Sequence, residues 1–402
     1  MISSLADNTS NSCRICNSRS FIDLFNVSSF PLQFGAIPPE EKKDVQRYPL
    51  AIAICNDCGL VQQLNLLDEE IINRVYDSDY YSCSSPVATG MGIGPIEKFY
   101  SFFNQNTLKK GKLLELACFD GYLLKKIQNH GWDVFGCDPS PTTKTAADLI
   151  GKTRIVNDYF HKDLYPSKSF DVIIFRNLLE HIYDLHEFIR SVSFSLKIGG
   201  RIFVEVPNVK EYVKYGGVGS FFHQHVSYFS LKTLTHLLTK HGFTIERFHE
   251  GNPNLFVQAV KRELNDKKQF KPGYKIIGID QQSFIKKHSA LLNEIIKYFN
   301  EPNYKKIALF CASAFSTYIL SFLKPDQTNK ISYIFDNDKN KQGKEIIGCN
   351  VSISNPNEIN TSSFDSILIT TYLFHNEIRQ QLQDFRIESG KIISISDFVA
   401  KI

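Results

Sequence analysis

Residues 112–138 read KLLELACFDGYLLKKIQNHGWDVFGCD. An apolar run, KLLELA, breaks into a turn that ends at Gly121. The stretch GYLLKKIQNHG follows, and a second apolar run closes at Asp138. Short continuous apolar runs suit strands buried on both faces, and the intervening stretch carries its apolar positions at helical spacing. The reading is strand, helix, strand. Outward from it the alternation continues with PTTKTAADLIG as helix, TRIVND and DVIIFRN as strands, and HEFIRSVSFSL as helix. GGRIFVEVP then reads as strand and LKTLTHLLTKHG as helix. FTIERFHE and LFVQAV come last, with a connection too short for a crossover, so they are expected to pair antiparallel. The pattern predicts a mostly parallel, doubly wound α/β sheet.

Ligands of such sheets bind outside the carboxyl ends of the strands. The first strand ends in Glu115, Ala117, Asp120 and Gly121. A small residue and a terminal glycine admit close backbone approach, and the acidic groups can hold a cationic or hydroxyl-bearing ligand. The full G-x-G-x-x-G set is missing, so spacing alone says little. Asp138 is the stronger signal: a carboxylate ending the second strand can accept both ribose hydroxyls of an adenosine cofactor. The alternative is a helix N-cap ahead of Pro139. Asp158, after the third strand, is placed either near an adenine edge or in a plain turn. Further on, Phe170–Arg176 breaks into Asn177-Leu-Leu-Glu180-His181, whose polar residues are expected on the rim of the same cleft. His181 is read either as a functional imidazole or as a structural hydrogen-bonder. This layout resembles that of the class I S-adenosylmethionine methyltransferases.

Ahead of this block stand Cys13-Arg-Ile-Cys16 and Cys55-Asn-Asp-Cys58. Paired C-x-x-C knuckles suit tetrahedral zinc, and four thiolates leave no open position, so the metal is expected to be structural. The stretch between the pairs contains FIDLFNV, FPLQFGAIPP and YPLAIAI, and is expected to form a small lobe of short strands and turns. The alternative is four unrelated buried cysteines. Cys83, Cys118, Cys137, Cys311 and Cys349 show no ligand spacing and read as small buried residues.

Composition narrows the class. The chain has 402 residues, 43% hydrophobic and 22% charged, with 46 basic and 42 acidic side chains. A net charge of +4 is too small to mark a nucleic-acid binder. No apolar run reaches the roughly 18–20 residues that cross a bilayer. The start, MISSLADNTSNS, shows no secretory signal, and cysteines arranged for metal suit a reducing compartment. The expectation is a cytoplasmic protein with a small-molecule substrate and no nucleic-acid, membrane or protein partner.

After residue 263 a Lys-, Gln- and Asn-rich stretch leads into IDQQSFIKKHSALLNEIIKYFN, read as a linker helix over 264–300. The strand from Lys306 into Cys311-Ala312-Ser313-Ala314, ISYIFDNDK ending at Asp336, SFDSILIT and KIISISDF suggest a Rossmann-like α/β domain over 301–402. The expected order is a zinc-binding domain at 1–75, a methyltransferase domain at 76–263, the linker, and the C-terminal domain.

The chain resembles the sugar C-methyltransferases of deoxysugar pathways over nearly its whole length. The resemblance rests on the paired C-x-x-C, ELACFDG, NLLEHI, GGRIFVEVP, and Phe222-His223-Gln224-His225-Val-Ser-Tyr228. It implies that a nucleotide-linked 4-keto-6-deoxysugar loses a proton beside its ketone, and that the enolate takes a methyl group from S-adenosylmethionine. His225 matches the family's catalytic histidine, and His181 and Tyr76 match further active-site positions. Tyr80 is assigned to the sugar pocket with Phe222 and Gln224. Tyr81 joins Glu115, Ala117, Asp120, Gly121, Asp138, Asp158 and Asn177 at the cofactor. An aromatic patch that merely packs domains is the alternative for the tyrosines.

Two departures stand out. Phe222 replaces the family's usual tyrosine and Gln224 its glutamate, which removes one hydroxyl donor and one charge. Methylation of oxygen or nitrogen, which needs only a heteroatom proton removed, fits such a pared-down site. A zinc-containing binding protein with a decayed cofactor pocket is the reading from another class, motivated by Ala117 and Phe119.

Overall fold

The computed structural model describes residues 12–77, 85–89, 92–105, 109–214, 216–217, 219–251, 253–263, 280–372 and 374–402. Its contacts divide the chain into two compact units. One comprises Met1–Ile22, Ala53–Glu211 and Gln224–Gly278; the other comprises Asp23–Ile52, Tyr212–His223 and Ile279–Ile402.

The first unit contains, among other elements, β1 (Val61–Gln63), β2 (Lys112–Leu116), α1 (Tyr122–Asn129), β3 (Asp133–Cys137), α2 (Thr143–Ile150), β4 (Ile155–Val156) and β5 (Phe170–Arg176). They continue with α3 (Leu185–Ser195), β6 (Leu196–Pro207), β7 (Ser227–Tyr228), α4 (Leu231–Lys240), β8 (Phe243–Glu250) and β9 (Asn254–Lys261). Seven strands form one sheet in the order β8-β9-β6-β5-β2-β3-β4. The run from β6 to β4 is parallel, and β9 lies antiparallel to both β6 and β8. The short connection before LFVQAV has the expected consequence.

Both faces of the sheet are covered, which is why its central strands are mostly apolar. Leu114, Ile173, Phe175, Ile202 and Val204 belong to one core with Leu231, Leu234, Leu237 and Leu238 of α4. Leu113, Val172, Ile174 and Phe203 belong to the other, with Leu123, Leu124 and Ile127 of α1. Neighbours along each strand thus alternate between the two cores. Cys13, Ile15, Cys55, Cys58 and Leu60 share the first of them.

The second unit contains α5 (Gln281–Asn300), β10 (Ile307–Phe310), β11 (Ile331–Phe335), β12 (Ile353–Ser354), β13 (Ser366–Ile369) and β14 (Ile392–Ser394). These strands form a five-stranded parallel sheet in the order β12-β11-β10-β13-β14. Helix α5, the described part of the linker reading, buries Phe284, Leu291, Ile295 and Phe299, and its Tyr298 hydroxyl donates to Ser366 Oγ at 2.8 Å. KIISISDF is strand only as far as Ser394. There the Ser394 hydroxyl accepts from Ser396 N and Asp397 accepts from Ser394 N, which starts a short helix over Ile395–Val399.

The segment 23–52, read above as part of the zinc lobe, has its contacts here. Ala36–Ile37 pairs antiparallel with Glu345–Ile346, Gly35 N donates to Thr317 Oγ1 at 2.8 Å, and Lys42 Nζ reaches Glu345 at 2.6 Å.

Candidate functional site

The loop between β2 and α1 holds two non-glycine residues in left-handed backbone, Ala117 (φ 55°) and Phe119 (φ 49°), ahead of Gly121 (φ 79°). Left-handed backbone costs an L-residue about 1–2 kcal/mol, so something must hold the turn. Asp138, at the end of β3, does so. Its Oδ2 accepts from Phe119 N at 3.0 Å, and its Oδ1 accepts from Ser140 N at 2.8 Å. It does not cap α2, whose N-cap is Thr142. A Cβ at Gly121 would lie 3.0 Å from both Cα and Cβ of Ala146, so glycine is what lets this turn reach α2.

Asp120 is engaged by protein donors. One oxygen accepts from Ser85 Oγ (2.7 Å) and Val87 N (2.8 Å), the other from Tyr122 N (3.1 Å). It ties the 85–89 segment to the start of α1. Glu115 is enclosed in β2, and its Oε2 is buried without a hydrogen-bond partner. Burial pushes its carboxyl up to about 8, against the pull of Arg176, so it is protonated at neutral pH. Arg176 pairs with Glu205 at 2.5 Å, and Glu205 also accepts from Asn254 Nδ2. Asn177 is exposed in left-handed backbone (φ 46°), with its N–H on the Glu205 carbonyl. Asp158 is exposed and accepts from Tyr159 N, as a turn residue does. Its neighbour Asn157 makes the link to the strand end, donating to the carbonyls of Asp138 and Ser140, both at 3.0 Å.

A second cluster follows β5, the other sheet neighbour of β2. Leu179–His181 is a single 3-10 turn, and Val226 N donates to the Glu180 carbonyl at 2.9 Å. His181 Nδ1 lies 2.9 Å from the Gln224 carbonyl, which can only accept, so Nδ1 carries the proton. The His181 and His225 rings meet edge to face, with centroids 4.6 Å apart. Glu180 and both imidazoles bring their polar atoms within 4.8 Å of one another.

Burial sets the protonation of this cluster. His181 is pushed down to about 4, and His225 falls well below its ordinary value through burial and the neighbouring imidazole. Glu180, 1% exposed and with both carboxyl oxygens unpartnered, is pushed up to about 8. At pH 7 the cluster is one neutral acid beside two neutral bases.

The Glu180 shift carries a stability prediction. Between about 4.5 and 8 the folded chain keeps this proton and the unfolded chain has lost it, so its contribution falls as pH rises through that window. Glu180→Gln is expected to melt with wild type at pH 5 and to be more stable at pH 8.5, by on the order of a few kcal/mol. Parallel melting curves at both pH values would show that the carboxyl is not held neutral.

Phe222 lies in the second unit, where its ring packs on Phe34 with centroids 4.7 Å apart. Gln224 is buried in the first unit. Tyr76 lies within the helix Glu69–Asp77, while Tyr80 and Tyr81 fall outside the described residues. The Arg176–Glu205–Asn254 network escaped the sequence reading. A lone glutamate inside the apolar strand GGRIFVEVP was the available signal, since a buried charge needs a partner.

The four cysteines converge. Cys13 and Cys58 sulfurs are 3.4 Å apart, Cys16 and Cys55 sulfurs 3.5 Å, and all four lie within 4.8 Å of one another. Zinc–sulfur bonds of about 2.3 Å place tetrahedral ligands at comparable separations. The donor set fits zinc, and four thiolates close its shell.

Comparison with known proteins agrees with this division of labour. A family model for a methyltransferase domain matches residues 93–247, and one for a zinc binding domain matches residues 13–72. A third, described as C2185-like, N-terminal, matches residues 303–393. C-methyltransferase NovU of Streptomyces niveus is 26% identical over 247 residues; the match covers 60% of this chain and 57% of that protein's length. The ubiquinone biosynthesis O-methyltransferase of Aliivibrio fischeri is 28% identical over 165 residues, covering 38% of this chain and 70% of that protein. Among solved structures, the Burkholderia thailandensis 1,6-didemethyltoxoflavin-N1-methyltransferase is 17% identical with a TM-score of 0.40. It covers 53% of this chain and 96% of its own. With its sheet order, its two matched domains and its converging cysteines, the chain carries a class I S-adenosylmethionine-dependent methyltransferase domain together with a four-cysteine zinc site.

Proposed function

We propose that the chain methylates carbon, at the position beside the ketone of a nucleotide-linked 4-keto-6-deoxysugar, with His225 as the base. The observation that carries this reading is the His181–His225 pair. Carbon acids need a neutral base with a fixed direction, and burial keeps both imidazoles neutral while the Gln224 carbonyl fixes the His181 tautomer. Resemblance to a named C-methyltransferase supports carbon as the acceptor.

S-adenosylmethionine supplies the electrophilic methyl group. Asp138 is the residue proposed to hold its ribose, since a carboxylate has about four acceptor positions and protein donors do not fill them all. The strained turn at Ala117–Gly121 brings backbone close to the ligand, and the unpartnered Glu115 carboxyl lies in the strand that leads into it. Asp120, Asp158 and Asn177 frame this pocket from the loops, and Tyr81 is assigned to it by the resemblance. On the acceptor side, His225 takes the proton from the carbon, whose electron pair delocalises onto the ketone oxygen. Tyr76 is proposed to donate to that oxygen, with Tyr80 and Gln224 along the sugar.

Asp138→Ala is expected to weaken S-adenosylhomocysteine binding at least about 100-fold. Hydrogen bonds to a charged group are worth about 1.5–3 kcal/mol each, and the Phe119 turn loses its brace as well. Calorimetry giving wild-type affinity would overturn the pocket assignment.

The reaction is tested by incubating the protein and S-adenosylmethionine with a panel of nucleotide-4-keto-6-deoxysugars in deuterated water, followed by mass spectrometry. One added methyl group, with deuterium entering unreacted substrate beside the ketone, is the expected result. Matches to O-methyltransferases favour a second reading, transfer to a heteroatom. Product methylated on oxygen or nitrogen, without carbon exchange, would replace the first reading with the second.

A further inference from the structure

Arg14 sits between two zinc ligands in the knuckle Cys13-Arg14-Ile15-Cys16, yet its side chain serves the segment that carries His225. One guanidinium nitrogen donates to the Val226 carbonyl at 2.5 Å and another to the Gln63 carbonyl at 2.9 Å. Its peptide N–H donates to Gln62 Oε1 at 3.0 Å, and Gln62 Nε2 donates to the Ser12 carbonyl at 3.2 Å. Gln62 and Gln63 belong to β1, which pairs antiparallel with β7 immediately after His225. On its other side the knuckle is anchored through the Ile15 carbonyl, which accepts from His186 Nε2 on α3 (3.1 Å) and Lys240 Nζ on α4 (3.0 Å).

Val226 is therefore fixed at both ends of its backbone. Its N–H is on Glu180, and its carbonyl takes Gln63 N as well as Arg14. The charge arithmetic points the same way. Arg14 is only 9% exposed, and among the described residues no carboxylate pairs with it. A buried cation without a counter-charge is costly. Four thiolates around a divalent zinc carry a net negative charge, and the knuckle places Arg14 beside it.

We propose that Arg14 is a positioning residue that couples the zinc centre to the His225 segment, so that metal at the four cysteines fixes where the base stands. Its bearing on catalysis rests on His225 being that base. The planar fork reaches the two carbonyls from separate nitrogens held in fixed geometry, which a single ammonium does not reproduce, so lysine is a partial substitute.

The test uses full-length Arg14→Met and Arg14→Lys. Four readouts apply: zinc content, S-adenosylhomocysteine affinity, amide hydrogen exchange over 224–228, and kcat against KM. Arg14→Met is expected to keep its zinc and to bind S-adenosylhomocysteine within about twofold of wild type. Amides at 224–228 should exchange at least about tenfold faster, with kcat down by a similar factor and the acceptor KM little changed. Arg14→Lys should fall between. In a folded Arg14→Met, wild-type protection would overturn the proposal, as would loss of zinc together with cofactor affinity. Where Arg14→Met does not fold, chelation of wild-type zinc replaces it: the same amides should lose protection before the rest of the sheet, and unchanged protection would overturn the coupling. Faster exchange in Arg14→Met alongside an active His225→Asn would leave the coupling standing and remove the base assignment instead.

Discussion

His225→Asn is expected to lower turnover by about 10²–10⁴-fold while leaving S-adenosylhomocysteine affinity within about twofold. Asparagine approximates the imidazole in size and keeps hydrogen-bonding atoms, but it cannot take up a proton at neutral pH. The cofactor affinity should survive because the Asp138 turn makes its contacts with Phe119, Ser140 and Asn157. His181→Asn should cost less, since its Nδ1 proton is already committed to the Gln224 carbonyl and its part is to hold that peptide. The pH profile separates this reading from a solvent-exposed base. An exposed histidine would lose half its activity near 6.5, whereas burial holds both rings neutral below that pH. Wild-type kcat should accordingly stay level from pH 7 down to about 6, below the range in which the neighbouring Glu180 ionises. The acid limb should follow as pH falls toward the lowered values, where the native state must bury charge and stability declines too. A fully active His225→Asn would place the base elsewhere.

How much of this was legible beforehand depended on whether the determinant was local. The alternation of KLLELA, GYLLKKIQNHG and WDVFGCD reports burial on both sheet faces, so strands and helices of the methyltransferase domain could be read directly. The short link before LFVQAV fixed an antiparallel neighbour for the same reason. Segment 23–52 is different. Its tie to the second unit depends on two-residue pairing at Ala36–Ile37 and on Lys42 meeting Glu345, partners some 300 positions away in sequence that leave no periodic trace. The cofactor loop was legible by position but not by geometry. ELACFDG gives no sign that Ala117 and Phe119 adopt left-handed backbone, because the support comes from Asp138 across the sheet. Glu180 could be seen as a polar residue near the cleft, while its unpartnered, protonated state depends on burial by residues far along the chain.

Zinc removal is expected to have the largest effect of all. Structural zinc in zinc-finger peptides contributes about 10–16 kcal/mol of apparent binding free energy near pH 7, and where the site forms only in the folded chain that energy is folding energy. Here the lobe is not an appendage. Cys13, Ile15, Cys55, Cys58 and Leu60 pack in one core with Leu114, Ile173, Ile202 and the leucines of α4, so thiols that repel or reorient open a face of the methyltransferase sheet. Verified metal removal should lower the melting temperature by more than about 10 °C, since a domain of this size shifts roughly 2–4 °C per kcal/mol. Serine at Cys58 should reproduce it, because a hydroxyl is a poor substitute for a thiolate ligand. Cys118 and Cys137 provide the control. Both are buried, and burial keeps their thiols protonated, but neither belongs to the converging set, so Cys118→Ala should retain the full zinc content. An unchanged melting curve in metal-free protein would mean that packing alone holds the knuckles, with the four sulfurs near 3.5 Å by steric convergence and not for a metal.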